Sequence, residues 1–263
     1  QIPLGDIDVS VPPGEQLPDA ALEMVGRIDR LDWAKTEDAG TYLRVLDYKS
    51  GSTGLNLNEV YYGLQLQLLT YLEVALRHAG RLTGETAQPG GMLYFRIQNP
   101  VLSTKGRLSA DEIHRELRKR FRLKGLVLND LNLLNLMETG LAGDSLILPV
   151  GRLKAGGLNS RSAVADREQF AYLRQHLRQT LRDLGRKIVA GTVDIKPYLL
   201  KKQRACTYCQ LKPVCQFDLT AGNEYRVLKA LDKPVLWHML RKEAQGDESK
   251  SKSVSNQVDP QPE

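Results

Sequence analysis

The chain has 263 residues, 41% of them hydrophobic and 26% charged, the balance of an ordinary soluble globular protein with one large domain or two small ones. No stretch approaches the roughly 20 apolar residues of a membrane span, and the N-terminus lacks the basic, apolar and small-residue succession of a signal peptide, so the chain reads as intracellular. A net charge of +6 favours an anionic partner, of which nucleic acid is the common one.

The chain opens on Gln1 in an extended, Pro-containing segment, QIPLGDIDVSVPP, which reads as the start of a piece cut from something longer. From Leu22 the expected order is strand, turn, strand, long helix: ALEMVGRIDRLDW, AKTEDAG, TYLRVLDYKS, then NEVYYGLQLQLLTYLEVALRHAG. Asn58 is the expected N-cap of that helix and Gly80 its stop. MLYFRIQNP, ended by Pro100, reads as a third strand beside the first two. Helices are expected at about 109–122 and 125–138, followed by a Gly-rich basic loop, GRLKAGGLNSRS, and a long helix within QFAYLRQHLRQTLRDLGRKIVAG. No internal repeat and no GxxxxGK[ST] phosphate loop occurs, so nothing suggests a nucleotide-driven motor. Residues 243–263 hold no aromatic and almost no aliphatic side chain and read as a flexible tail.

Within the second strand, Asp47 and Lys49 stand at i and i+2 and therefore project to one face. If the first two strands form a hairpin centred on Asp38, Asp29 falls opposite Asp47. A slip of one residue would set Asp29 opposite Leu46 instead. Directly opposed carboxylates destabilise a sheet unless a cation offsets them. Hard oxygen ligands favour Mg2+ or Mn2+, held by Asp29, Asp47 and the backbone carbonyl of Tyr48. Such an ion can activate water against a phosphodiester, and Lys49 can hold that water or stabilise the extra negative charge of the transition state. Gln67 and Tyr71, at i and i+4 on the following helix, can face the same spot, although packing accounts equally well for that pair alone. Asp32, by alternation, turns away from Asp29.

Arg174, Arg178, Arg182 and Arg186 recur every fourth residue, with Leu173, Leu177, Leu181, Leu184 and Ile188 on an apolar side. A second basic cluster lies in HRELRKRFRLKG, residues 114–125. A solvated helix face accounts for either cluster alone; two of them near a phosphate-chemistry site point to contacts with a nucleic-acid backbone. The three cysteines, Cys206, Cys209 and Cys215, are spaced C-x2-C-x5-C, which argues for a metal or cluster rather than disulfides. Spacing alone leaves open zinc completed by His176 or His238, and a 4Fe-4S cluster that needs a fourth cysteine this chain lacks.

The ordered set GRID, LDYKSG and QLLTY resembles the PD-(D/E)xK nucleases of the RecB type. The resemblance implies an α/β fold with a restriction-endonuclease-like core, a small mixed sheet flanked by helices. Asp29 and Asp47 would be metal ligands, Lys49 the catalytic lysine, and Gln67 and Tyr71 would complete the site. RecB-type nucleases often carry a histidine upstream of the first strand; here no histidine precedes it. Members of that family with an iron-sulfur cluster share the C-x2-C-x5-C spacing and place a fourth cysteine far upstream, here before Gln1. Nearly the whole chain up to the tail is similar to the nuclease region of B subunits of AddAB-type helicase-nucleases. This implies a core at 1–200, an iron-sulfur segment at 201–242 and a tail at 243–263. It also implies Mg2+-dependent cutting of the 5′-ended DNA strand, a helicase-nuclease A subunit as partner, and a role in double-strand-break repair near the bacterial nucleoid. A stand-alone exonuclease of the CRISPR-adaptation type, or a non-catalytic DNA-binding module, are the alternatives.

Overall fold

A computed structural model of the chain describes residues 6–8, 21–36, 40–51, 53–98, 101–104 and 106–255. The chain divides into two compact units, one holding Glu23–Asn56 and Gln65–Leu177, the other Leu57–Leu64 and Arg178–Glu263.

The first unit is built on a five-stranded mixed sheet. Its strands are β1 (Arg30–Thr36), β2 (Gly40–Lys49), β3 (Ala87–Arg96), β4 (Lys124–Leu128) and β5 (Val164–Ala165), in that spatial order. β1–β2 and β3–β4 are antiparallel; β2–β3 and β4–β5 are parallel. β2 is an interior strand, and its apolar run Tyr42–Leu46 is buried apart from partly exposed Arg44, as befits a strand covered on both faces. Asp38, the expected centre of the hairpin, lies outside the described residues. The ladder nevertheless runs from Arg30↔Leu46 to Thr36↔Gly40, the register that sets residue 29 opposite 47.

The β2–β3 ladder contains a bulge: Leu43 pairs with Pro89, but Arg44 pairs with Gly91, so Gly90 is an extra residue on β3. Beyond it, Asp47 pairs with Tyr94 and Lys49 with Arg96.

The expected long helix is two helices in two units. α1 (Leu57–Tyr61) ends at Gly63, whose φ of +75° favours glycine, and α2 (Gln67–Arg77) starts afresh beyond it. Asn58 is not an N-cap. Its side chain donates to Leu231 O at 3.0 Å and accepts from Leu231 N at 2.7 Å, pinning α1 within the second unit. Gly80 does not stop a helix either; it sits inside α3 (Ala79–Thr83), which Gly84 closes in the left-handed conformation. α2 is buried from Leu68 to Leu76 and lies on β2 and β3.

α4 (Ala110–Phe121), close to the expected 109–122, begins at Ser109 in a reciprocal capping box with Glu112. The helix expected at 125–138 is corrected: its first part is β4, and only α5 (Leu131–Met137) is helical, N-capped by Asp130. Gly125 explains the switch. A Cβ there would collide with Met92 O, so only glycine allows β4 to approach β3 this closely.

α6 (Arg167–Val189) runs from the first unit into the second. In the second unit, α7 (Lys233–Ser255) extends well past residue 243, where the sequence reads as a flexible tail. Leu236, Leu240 and Ala244 are buried at i, i+4 and i+8, and this anchored stripe carries the polar continuation in helical form. Among the described residues no helix is long and apolar enough to cross a membrane.

Candidate active site

The site forms where β1 and β2 reach the end of their ladder, under the first turn of α2. Asp29, expected within the first strand, sits one residue before β1 and is exposed. Its Oδ2 accepts a 2.9 Å hydrogen bond from the Tyr48 backbone N–H, which ties the carboxylate to β2 beside Asp47. Asp47 is 3% exposed. Lys49 Nζ lies 2.6 Å from Asp47 Oδ2, yet at an angle that makes no hydrogen bond, and that buried oxygen has no donor among the described residues. Lys49 instead donates to Gln67 Oε1 at 2.8 Å, and Gln67 Nε2 contacts the Tyr71 hydroxyl at 3.1 Å. The lysine also stands 5.6 Å from the centre of the Tyr94 ring.

The structure thus brings Asp47, Lys49, Gln67 and Tyr71 into one connected row, with Asp29 joined through the Tyr48 amide. Asp32 turns to the opposite face, where Arg30 donates to it at 2.8 Å and Arg44 at 2.9 Å. Burial works against its charge, but the hydrogen bonds and charges of the two guanidiniums outweigh burial and hold its pKa below the usual carboxylate value.

A buried carboxylate oxygen without a donor, beside a second carboxylate, fits a hard divalent cation. Among the described residues no three His, Cys, Asp or Glu side chains converge to hold an ion. The protein's share of such a site would be the two aspartates and backbone oxygen, leaving the remaining positions to water and substrate, as magnesium prefers.

The other candidates part company. Arg174 is no surface cation: its Nε lies 2.5 Å from Glu73 Oε2, and Glu73, 5% exposed on α2, also meets Arg77 at 3.4 Å. Sequence reasoning counted the arginines of the stripe and overlooked the lone acid in the buried run LLTYLEVAL, the signal that one arginine belongs inside. Further along α6, Arg182 is exposed and Arg186 meets Asp183 at 3.5 Å, while Arg178 is half-buried. The apolar side is buried at Leu173 and Leu177 and exposed at Leu184 and Ile188. In the cluster at 114–125, Arg122 is structural, donating to the carbonyls of Leu148 and Val150.

In the second unit, Cys206, Cys209 and Cys215 are unbridged and line one concavity with Lys212, Phe217 and Tyr225. They share a pocket without forming a group able to hold a single ion.

A model of the PD-(D/E)XK nuclease superfamily matches residues 4–216. The chain is also similar to proteins named as the B subunits of ATP-dependent helicase/deoxyribonucleases. It is 47% identical to that of Pelotomaculum thermopropionicum over 217 residues, 82% of this chain and 19% of that protein. To that of Bacillus subtilis it is 44% identical over 229 residues, 86% of this chain and 20% of that protein. For Bacillus mycoides the identity is 43% over 244 residues, 90% of this chain and 21% of that protein. The chain spans about a fifth of the length of these relatives. With the hairpin register, the D-x-K strand and the glutamine–tyrosine helix all falling inside the matched span, the chain belongs to the PD-(D/E)XK nuclease superfamily.

Proposed function

We propose that this chain is the nuclease region of a helicase-nuclease B subunit and hydrolyses DNA phosphodiesters with Mg2+ or Mn2+. The observation that carries the reading is the buried Asp47 oxygen, which accepts no hydrogen bond among the described residues and stands 2.6 Å from a lysine held by Gln67, itself bonded to Tyr71. Asp29, Asp47 and the Tyr48 carbonyl would hold the ion, which when bound would polarise the phosphodiester and supply a nucleophile near neutral pH. The chain's own residues do the rest. Gln67, bridged between the Lys49 ammonium and the Tyr71 hydroxyl, fixes that ammonium beside Asp47, where it stabilises negative charge developing on the phosphate. Burial of Asp47 keeps water from screening that charge.

The finer reading follows the family resemblance. The substrate is the 5′-ended strand at a double-strand break, unwound by a helicase A subunit. The three cysteines supply three ligands of a 4Fe-4S cluster, whose fourth cysteine belongs to the polypeptide upstream. A cluster sets its thiolates on separate irons, which suits three cysteines around one concavity better than convergence on a single zinc.

The test is cleavage of end-labelled single- and double-stranded DNA with Mg2+, Mn2+ or EDTA, comparing the parent with Asp47→Ala. Metal-dependent cutting lost in the variant, with DNA binding retained, is the expected result. Equal cutting by both rules out the assigned site, and no cutting by the parent under any metal returns the chain to a binding or assembly role.

A further inference from the structure

The face of the sheet that carries Asp47 and Lys49 continues beyond β2. The registered pairs make two rows across the strands: Asp47–Tyr94–Lys124 and Lys49–Arg96. Registered partners project to one face, and the Lys49 ammonium near the Tyr94 ring fits that parity. Arg96 and Lys124 therefore stand on the site's face, one and two strands from β2, about 5 and 10 Å away at the usual strand spacing. Lys49 is committed to Asp47 and Gln67. Arg96 and Lys124 are not so committed: among the described residues neither makes an ion pair. Arg96 has one long hydrogen bond, from Nη2 to Gln98 Oε1 at 3.3 Å, and its Nε is buried without a partner. A guanidinium offers five donors in a planar fork suited to phosphate oxygens, so this one is largely unspent. Lys124 is exposed, and its stem lies against the loop between β2 and α1, where a Cβ on Gly54 would be 3.5 Å from Lys124 Cδ.

We propose that Arg96 and Lys124 are positioning residues that grip successive phosphates of the nucleic-acid strand being cut, so that the strand leaves the site across β3 and β4. This rests on the nuclease reading above for the identity of the anion, and it specifies the direction in which the substrate backbone runs. Anchoring the phosphates beyond the scissile one fixes the reacting phosphate in front of Asp47.

The test is the affinity of the full chain for an end-labelled single-stranded oligonucleotide in EDTA, across a salt series, for the parent, Arg96→Gln, Lys124→Gln and Arg96→Lys. Each glutamine variant should flatten the slope of log K against log salt by about 0.7, the value for one lost phosphate contact on a single strand. Arg96→Lys, which keeps the charge, should retain the parent slope. In steady-state cleavage both glutamine variants should raise KM more than they lower kcat. Unchanged slopes in both glutamine variants overturn the proposal even if the parent cleaves DNA. Equal flattening in Arg96→Lys and Arg96→Gln gives Arg96 a packing role and overturns its part. Because binding is read without metal, failure here is distinct from failure of the nuclease assignment, which Asp47→Ala decides.

Discussion

Replacing Arg174 with alanine separates two roles that its place on α6 makes confusable. Removing one partner of a fully buried ion pair costs about 3–5 kcal/mol, because the other charge is left without compensation. Here the Glu73 side chain is 7% exposed but that of Arg174 is 28% exposed, and Arg77 still reaches Glu73 at 3.4 Å. Both features reduce the loss, to about 2–3 kcal/mol. With a urea m-value of about 3 kcal/mol per molar, the unfolding midpoint should fall by roughly 0.7–1 M. The double variant Arg174→Ala/Glu73→Gln should recover part of this, since it leaves no buried charge. The slope of DNA affinity against salt should not change. A midpoint within about 0.2 M of the parent, together with a flatter salt slope, would refute the reasoning and restore Arg174 to a DNA-facing surface.

Gln67→Ala should lower kcat by about 10–100-fold and leave KM for DNA nearly unchanged, because it releases the Lys49 ammonium without removing a charge; a rise in KM alone would show that Gln67 binds the strand instead. Asp32 predicts a pH signature. Its folded pKa lies below that of an ordinary aspartate, so its stabilising effect is complete above the ordinary value and fades as pH falls through the lower folded value. Parent and Asp32→Asn should therefore differ in urea midpoint at pH 7 and converge toward the acid limit, and a constant difference down to that limit would disprove the link.

The local parts of this architecture were readable in the sequence, and the non-local ones were not. Hairpin register follows from a constant sum of positions, so the opposition of residues 29 and 47 could be inferred, as could the i, i+4 placing of Gln67 and Tyr71. The strand at 124–128 was missed because LVL in a leucine-rich stretch suits helix or strand alike, and only the approach to Met92 shows why Gly125 settles it. The division of the long helix at Gly63 was missed because the apolar period continues across it, although the two halves serve different units. Arg96 could not be found at all, since nothing in RIQNP reports which residue of a distant strand will lie beside Lys49. Arg174 failed for a related reason: periodicity identifies a face without saying what covers it.

The single extra residue at Gly90 has a consequence for how this scaffold tolerates change. Were Gly90 drawn into the ladder opposite Arg44 instead of bulging, the pairing Leu43↔Pro89 would continue in phase and set Leu93 beside Asp47 and Phe95 beside Lys49. Tyr94 and Arg96 would rotate to the far side of the sheet, and two apolar side chains would take their places next to the carboxylate. One position left out of the ladder thus acts as a phase shifter, turning the polar rather than the greasy side of the same stretch of β3 toward the site. Insertions and deletions in the loop before Ala87 can be absorbed as slack. Deleting Gly90 would remove the bulge and keep the pairs beyond it, whereas a second residue added to the ladder between Pro89 and Gly91 without a bulge to absorb it would leave every named side chain in the sequence and dismantle their neighbourhood.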